Sequence, residues 1–266
     1  YKSIMKCVET LYILPDIDTT GIRSAIRLGL QYLDIRFIWL PESLREYKDN
    51  RGKPRKDLRD YVELYPDRKD FQKLMNVAMP LRFWDEVTKE DGKRYYFNDE
   101  HALFFLNANG FGRIEYKNTK GKSIFVRVED NVVREVEPEE IKDFMLEFME
   151  KRYLPIPLRN VVRKPNQLSE ATLKGLKKLK LDFTDYDAES QFLFFRNKTI
   201  KVTGEEIREF RPGDTSQCVW EEKVIPHNFR LLPEPFRITW NKDNDTYDIE
   251  IYNQDSLFFC YLINAS

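Results

Sequence analysis

Leu11-Tyr-Ile-Leu-Pro-Asp16-Ile-Asp18-Thr-Thr-Gly21-Ile-Arg-Ser-Ala25 is an apolar run that carries two aspartates one residue apart and then turns through a glycine into a segment with helical spacing. Side chains alternate along a strand, so Asp16 and Asp18 are expected on one side of it, at the C-terminal end where open α/β sheets place their ligands. Two carboxylates brought together repel each other unless a cation sits between them, and Mg2+ is the hard, oxygen-seeking candidate. The alternative for the same residues is a pair of helix-capping or solvated aspartates, with Thr19, Thr20 and Gly21 satisfied by that capping.

The surroundings extend the pattern. A helix is expected over residues 21–33 and a strand over 35–40, ending at Pro41. A charged, turn-rich loop follows over 45–55, then a helical segment over 56–65 that opens Lys56-Asp57-Leu-Arg-Asp60-Tyr61. In this order the segments resemble the second half of a Toprim domain, the metal-binding module of bacterial primases, topoisomerases and some nucleases. The likeness lies in the strand with Asp-x-Asp, the x-x-Gly step into a helix, the next strand, and the Lys-Asp-x-x-Asp-Tyr run of phage and plasmid primases. It implies an α/β fold with a partial Toprim-like parallel sheet, in which Asp16 and Asp18 are the catalytic and metal residues for Mg2+, and Lys56, Asp57 and Asp60 are secondary contributors. A Toprim domain opens with a glutamate on an earlier strand. Only ten residues precede Leu11, and Glu9 is too close to serve, so the resemblance implies a segment of a longer protein, inactive by itself.

A second resemblance lies in Gln191-Phe-Leu-Phe-Phe-Arg-Asn197-Lys-Thr-Ile-Lys-Val-Thr-Gly204 and the proline-rich run that leads to Phe229. It is similar to the module that precedes the ATPase in superfamily 3 primase-helicases, with Lys198 where that pattern has glycine. Together the two imply a DNA replication primase-helicase of phage or mobile-element type. Its expected partners are DNA, single-stranded or primer-template, nucleotides, and its own downstream helicase domain. Gly121-Lys122-Ser123 does not supply the motor: a P-loop needs glycine five residues earlier, where Tyr116 stands, and the tripeptide falls between strands. The ATPase is therefore expected beyond Ser266. Two other readings stay open, a non-catalytic DNA- or replisome-binding module with a degenerate Toprim, and a Toprim-type nuclease.

At 266 residues the chain is long enough for two or three compact units. The expected divisions are a truncated Toprim-like α/β segment at 1–79, an α+β module at 80–165, and a helicase-preceding α+β linker module at 166–266. Lys and Arg number 44 against 45 Asp and Glu, a net charge of -1, which excludes a wholesale electrostatic DNA binder and confines contact to local patches. Candidate nucleic-acid contacts are Arg45, Lys48, Arg51, Lys53, Arg55 and Lys56, in the loop leaving the same sheet edge as the aspartates. Lys174, Lys177, Lys178 and Lys180 are expected on a solvated helix face. Asp182, Asp185, Asp187 and Glu189, interleaved with Phe183 and Tyr186, read as a capped loop. Cys7, Cys218 and Cys260 are odd in number and scattered, giving no disulfide framework or zinc knuckle and fitting a reducing, cytoplasmic setting. No apolar run reaches the ~20 residues that span a bilayer, so no membrane partner is expected.

The remaining signals are local. Apolar residues at 71, 74, 75 and 78 mark a helix over 69–78, and Glu90-Asp91-Gly92 marks a hairpin between strands 83–87 and 94–97. Asp99 is expected to cap a helix over 101–108 that stops at Asn109-Gly110. Strands are expected at 112–116, 123–128 and 132–136. A helix over 137–152 presents Ile141, Phe144, Met145, Phe148 and Met149 along one face, expected to be core. The chain should close with a hairpin around 241–245 and a helix from Ser256.

Overall fold

Strand β1 (Tyr12–Ile13) runs parallel to β2 (Arg36–Phe37), pairing Tyr12 with Arg36 and Ile13 with Phe37, and the connection between them is helix α1 (Thr19–Gln31). Strand β3 (Met79–Pro80) closes the other side of β2, antiparallel. The computed structural model describes residues 7–115, 123–231, 233, 236–253, 260, 261 and 264. The strands are shorter than the apolar runs that carry them because prolines end both: Pro15 and Pro41 have no amide to donate to a ladder. The pairing reaches as far as Ile38, whose N–H still donates to the Ile13 carbonyl. Helix α1 lies directly on the sheet through Gly29, where a Cβ would stand 2.2 Å from Phe37 Cζ.

Between β2 and β3 come a 3-10 turn (Glu42–Glu46), a loop closed by a bridge between Lys48 and Pro54, and helices α2 (Leu58–Leu64) and α3 (Arg68–Asn76). Next are the hairpin β4 (Trp84–Lys89) and β5 (Gly92–Phe97), with Gly92 at φ +121°, and helix α4 (Asp99–Ala108), which stops at Gly110 with φ +85°. Strands β6 (Phe111–Glu115), β7 (Ser123–Glu129) and β8 (Val132–Glu135) form an antiparallel meander, extended by the short strand Val219–Trp220 parallel to β8. Helices α5 (Pro138–Lys151), α6 (Ile156–Val162) and α7 (Glu170–Leu173) follow.

One hydrophobic core runs through these elements. It takes Ala25 from α1, Phe37 from β2, Phe105 and Leu106 from α4, Ile141, Met145 and Met149 from α5, Leu158 from α6 and Leu173 from α7. Fully burying each large apolar side chain of this kind contributes about 1.5–3 kcal/mol. The expected division points after residues 79 and 165 thus both lie within a region that shares a core.

Two local expectations are corrected, and others lie outside the described residues. Asn98, not Asp99, caps α4: its Oδ1 accepts the His101 N–H at 3.1 Å, and Asp99 is already the first helical residue. The lysine run at 174–180 is not a helix. Past α7 its backbone instead lies along β6, with Arg113 N donating to Lys177 O at 3.0 Å and Leu179 N to Arg113 O at 2.8 Å, so sheet pairing overrides the helical preference of lysine. The turn expected over 117–122, with most of the Gly-Lys-Ser tripeptide, lies outside the described residues, as does the start of the helix expected at Ser256.

The chain divides into two compact units, Tyr1–Thr184 with Ser216–Glu221, and Asp185–Thr215 with Glu222–Ser266. The second holds a three-stranded antiparallel sheet (Ser190–Phe194, Thr199–Thr203, Ile207–Phe210) and a separate hairpin (Phe236–Asn241 with Thr246–Ile251). Asn197, in the turn of that sheet, latches onto the proline-rich run: its Oδ1 accepts Phe229 N at 2.7 Å and its Nδ2 donates to Phe229 O at 3.1 Å. The architecture is mixed α/β with several small sheets. Among the described residues no helix is long and apolar enough to cross a membrane.

Candidate functional site

Beyond β1 the chain continues through buried Pro15 and sets Asp16 and Asp18 on either side of Ile17, which is itself buried. The Ile17 N–H donates to the Lys56 carbonyl at 2.9 Å. Residue 56 is thereby pinned against the middle of the Asp-x-Asp run, and its side chain reaches both carboxylates. Lys56 Nζ stands 2.6 Å from Asp18 Oδ2 and 3.2 Å from Asp16 Oδ2. Asp18 has a second duty, since its Oδ1 accepts the Gly21 N–H at 2.7 Å and so caps α1. Gly21 is required by close approach: a Cβ there would lie 2.8 Å from the Asp16 carbonyl oxygen and 3.2 Å from Asp18 Oδ1.

The Lys-Asp-x-x-Asp-Tyr run explains how Lys56 is aimed. Asp57 Oδ1 accepts Asp60 N at 2.9 Å, and Asp60 Oδ2 accepts both Asp57 N at 3.3 Å and Lys56 N at 2.7 Å, a reciprocal cap at the start of α2. Tyr61 buries itself beneath, against Ile17, Leu40 and Leu44. Asp57 and Asp60 therefore serve the helix start and act on the aspartates only through Lys56.

The charges agree with this geometry. The Lys56 hydrogen bond, then the Gly21 amide, hold the Asp18 carboxyl below the usual carboxylate range. Asp18 first and Asp16 second push the Lys56 ammonium above its ordinary value. The three side chains are 40–48% exposed, so water screens the bridge and it contributes little to stability. A lysine held this loosely can leave without disturbing a core. What stays behind is a pair of carboxylate oxygens directed at one point. Among the described residues no three or more His, Cys, Asp or Glu side chains are grouped to hold a metal ion.

The basic candidates separate into two sets. Arg45 donates to the Ile17 carbonyl, Arg55 donates to Glu63 Oε2 at 2.7 Å and to Asp60 O at 3.3 Å, and Lys56 bridges the aspartates, so all three brace the site itself. Lys48, Arg51 and Lys53 are exposed around a tip where Asp49 Oδ1 accepts Arg51 N and Lys53 N, each at 2.8 Å, and Gly52 takes φ +76°. In the later lysine run, Lys174 pairs with Glu170, Lys177 with Glu42 and Lys178 with Glu115.

Sequence reasoning places Lys56 among phosphate-contacting residues and misses its bond to the aspartates, because Asp18 and Lys56 are 38 positions apart and meet only through the Ile17 backbone. It also misses Trp39 and Phe104, which wall a pocket beside Asp16; nothing in their local spacing separates them from core aromatics. The chain matches no protein-family model, no curated protein and no solved structure.

Proposed function

We propose that Asp16 and Asp18 form a divalent-cation site for nucleotidyl transfer, in a Toprim-like segment of a phage- or mobile-element-type DNA primase-helicase. The observation that carries this reading is the convergence of both carboxylates on one cationic atom, Lys56 Nζ. The donor set suits Mg2+, which is held by one or two carboxylates and completes its shell with water and substrate phosphates, better than it suits an ion that needs three or four protein ligands. Bound there, Mg2+ would supply positive charge to phosphate oxygens during transfer. Lys56, released from the carboxylates, is then a flexible cation at the edge of the same site, placed to meet a phosphate. Arg45 and Gly21 keep the Asp-x-Asp backbone in place while this exchange occurs.

The test is direct metal binding. Mn2+ titrated into the protein and followed by electron paramagnetic resonance should show a site that Asp16→Asn and Asp18→Asn each weaken at least about tenfold. Asn still caps a helix, so Asp18→Asn removes charge and keeps the fold. Mn2+ binding unaffected by either change would reject the reading. The second reading, a non-catalytic DNA- or replisome-binding module, is favoured by one specific fact: Lys56 already answers the pair. A wild-type protein that binds no Mn2+ would decide for it.

A further inference from the structure

Asp16 belongs to two structures at once, the lysine-bridged pair and the wall of a pocket of about 410 Å3. The pocket's apolar walls include Ile22 and Ile26 from α1, Trp39 after β2, and Phe104 and Ala108 from α4, and its other polar residues are Glu42, Asn107 and Lys177. The Trp39 ring is fixed by its neighbours: it stacks on Phe37 at 5.3 Å and 20° and meets Phe104 edge-on at 6.4 Å and 71°. It nevertheless remains half-buried, so part of the indole is left for a ligand. The volume lies within the ~300–1,000 Å3 of small-molecule sites, and the composition is the usual one, apolar and aromatic walls with a few polar groups.

We infer that this pocket receives the heterocyclic base of a nucleoside triphosphate whose phosphates extend to Asp16, Asp18 and Lys56. The inference rests on the proposed cation site and names its substrate class. An apolar pocket alone would accept many hydrophobic groups. What selects a nucleotide is Asp16, because a ligand that fills the pocket and also reaches the carboxylate pair must be planar and apolar at one end and anionic, carrying its own metal, at the other. The aromatic walls are sequence-tolerant platforms for any base, so the pocket need not discriminate among the four.

Calorimetric titration with ATP and with tripolyphosphate, both in Mg2+, separates the base from the phosphates. ATP should bind about tenfold more tightly than tripolyphosphate, the order expected for one base–aromatic contact. Ala108→Phe and Ile26→Phe, which fill the pocket, should each remove that preference. Photolabelling with 8-azido-ATP locates the base without any substitution and should mark peptides containing Trp39 or Phe104. Equal binding of ATP and tripolyphosphate by the wild type, a preference that survives both filled variants, or label confined elsewhere would overturn the pocket. Mn2+ binding without nucleotide keeps the two readings apart. Mn2+ bound with no base preference rejects the pocket alone; no Mn2+ and no nucleotide binding rejects the cation site with it.

Discussion

Asp16 and Asp18 are answered by an ammonium from Lys56, far away in sequence, whereas Asp182 and Asp187 are answered by amides two or three residues ahead of them. Asp182 Oδ1 accepts Thr184 N at 2.9 Å; Asp187 Oδ1 accepts Glu189 N at 2.9 Å and Ser190 N at 2.7 Å. These amides hold both carboxyls below the usual range. The acids look alike in composition but differ in function-bearing capacity. A carboxylate wrapped by its own following backbone is a finished turn, and its lone pairs are already directed at fixed dipoles. A carboxylate pair held to a flexible lysine keeps an exchangeable partner. The difference is tertiary, made by one backbone hydrogen bond from Ile17 to residue 56.

The largest effect is expected from Gly21→Ala. Alanine is the better helix former by about 1 kcal/mol, yet here its Cβ would meet a backbone carbonyl at 2.8 Å, and the Asp16 segment would have to shift. Forced overpacking of this kind costs about 1–3 kcal/mol, so the net change should be destabilising and the Lys56 contacts should be lost with it. Gly204→Ala is the control: no atom lies within 4 Å of its added Cβ, and stability should stay within about 0.5 kcal/mol. Thermal unfolding of both variants checks this. A Gly21→Ala protein as stable as wild type would mean that the Asp16–Gly21 approach is not tight.

Gly21 also shows how far sequence reading reaches. The glycine after Asp-x-Asp-x-x lies near the start of α1, but inside the helix, which begins at Thr19, and it is required by the close approach to Asp16. Glu90-Asp91-Gly92 marks the β4–β5 hairpin because its signal is local and depends on backbone stereochemistry, with Gly92 at positive φ. The face of α5 was legible for the same reason: Ile141, Met145 and Met149 repeat at four-residue spacing and are fully buried. Lengths were less legible, since Leu14 and Ile38 to Leu40 prolong apolar runs that the prolines cut short as ladders. The lysines at 174–180 misled outright. Their helical propensity is real, but the edge of β6 offers backbone partners that an isolated helix cannot match. For the site, strand alternation does not place the carboxylates, because β1 ends at Ile13 and Asp16 and Asp18 lie beyond it; they meet at Lys56, a partner hidden in the fold.

Lys56→Gln removes the cation and leaves both carboxylates in place. If the lysine and a metal compete for the same oxygens, removing the lysine should raise Mn2+ affinity about fivefold, the worth of one unit charge at about 4 Å in water. Replacing a lysine beside the other acids, Lys201→Gln, should leave Mn2+ binding as it is. Unchanged affinity in Lys56→Gln would show that the ammonium does not occupy the metal's place.

The same bridge has a pH signature. Asp18 titrates below its ordinary value in the folded state, so its contribution to stability is present above the carboxylate range and is lost as pH falls through the lowered value. Lys56 titrates above its ordinary value, so its contribution is present below the ammonium range and is lost as pH rises through the raised value. The bridge's contribution should be complete from about pH 5 to about pH 9 and be lost only beyond the ordinary carboxylate and ammonium values. In Lys56→Gln the Asp18 carboxyl, followed by carbon NMR, should titrate closer to the ordinary range, because its largest cause of depression is gone, and Asp187 should not move. A simultaneous shift of both would point to a general loosening of the fold.

The smallest effect concerns the loop tip and DNA. Of the six basic candidates, Arg45, Arg55 and Lys56 are committed to Ile17, Glu63 with Asp60, and the aspartates, which leaves Lys48, Arg51 and Lys53 for phosphates. Counterion release from a single strand adds about 0.7 to the log-log salt slope for each phosphate neutralised, so binding by this tip should show a slope of about -2. Replacing Lys48, Arg51 and Lys53 with serine should flatten that slope towards zero, while Arg55→Ser should mainly loosen α2 through loss of the Glu63 pair. Fluorescence anisotropy with labelled oligo-dT across a salt series reads both. A steeper slope, or one that survives the triple change, would mean that the bracing arginines or the lysines along β6 leave their protein partners to hold DNA. The contrast between committed and exchangeable charge would then fail at the loop even if it held at the aspartates.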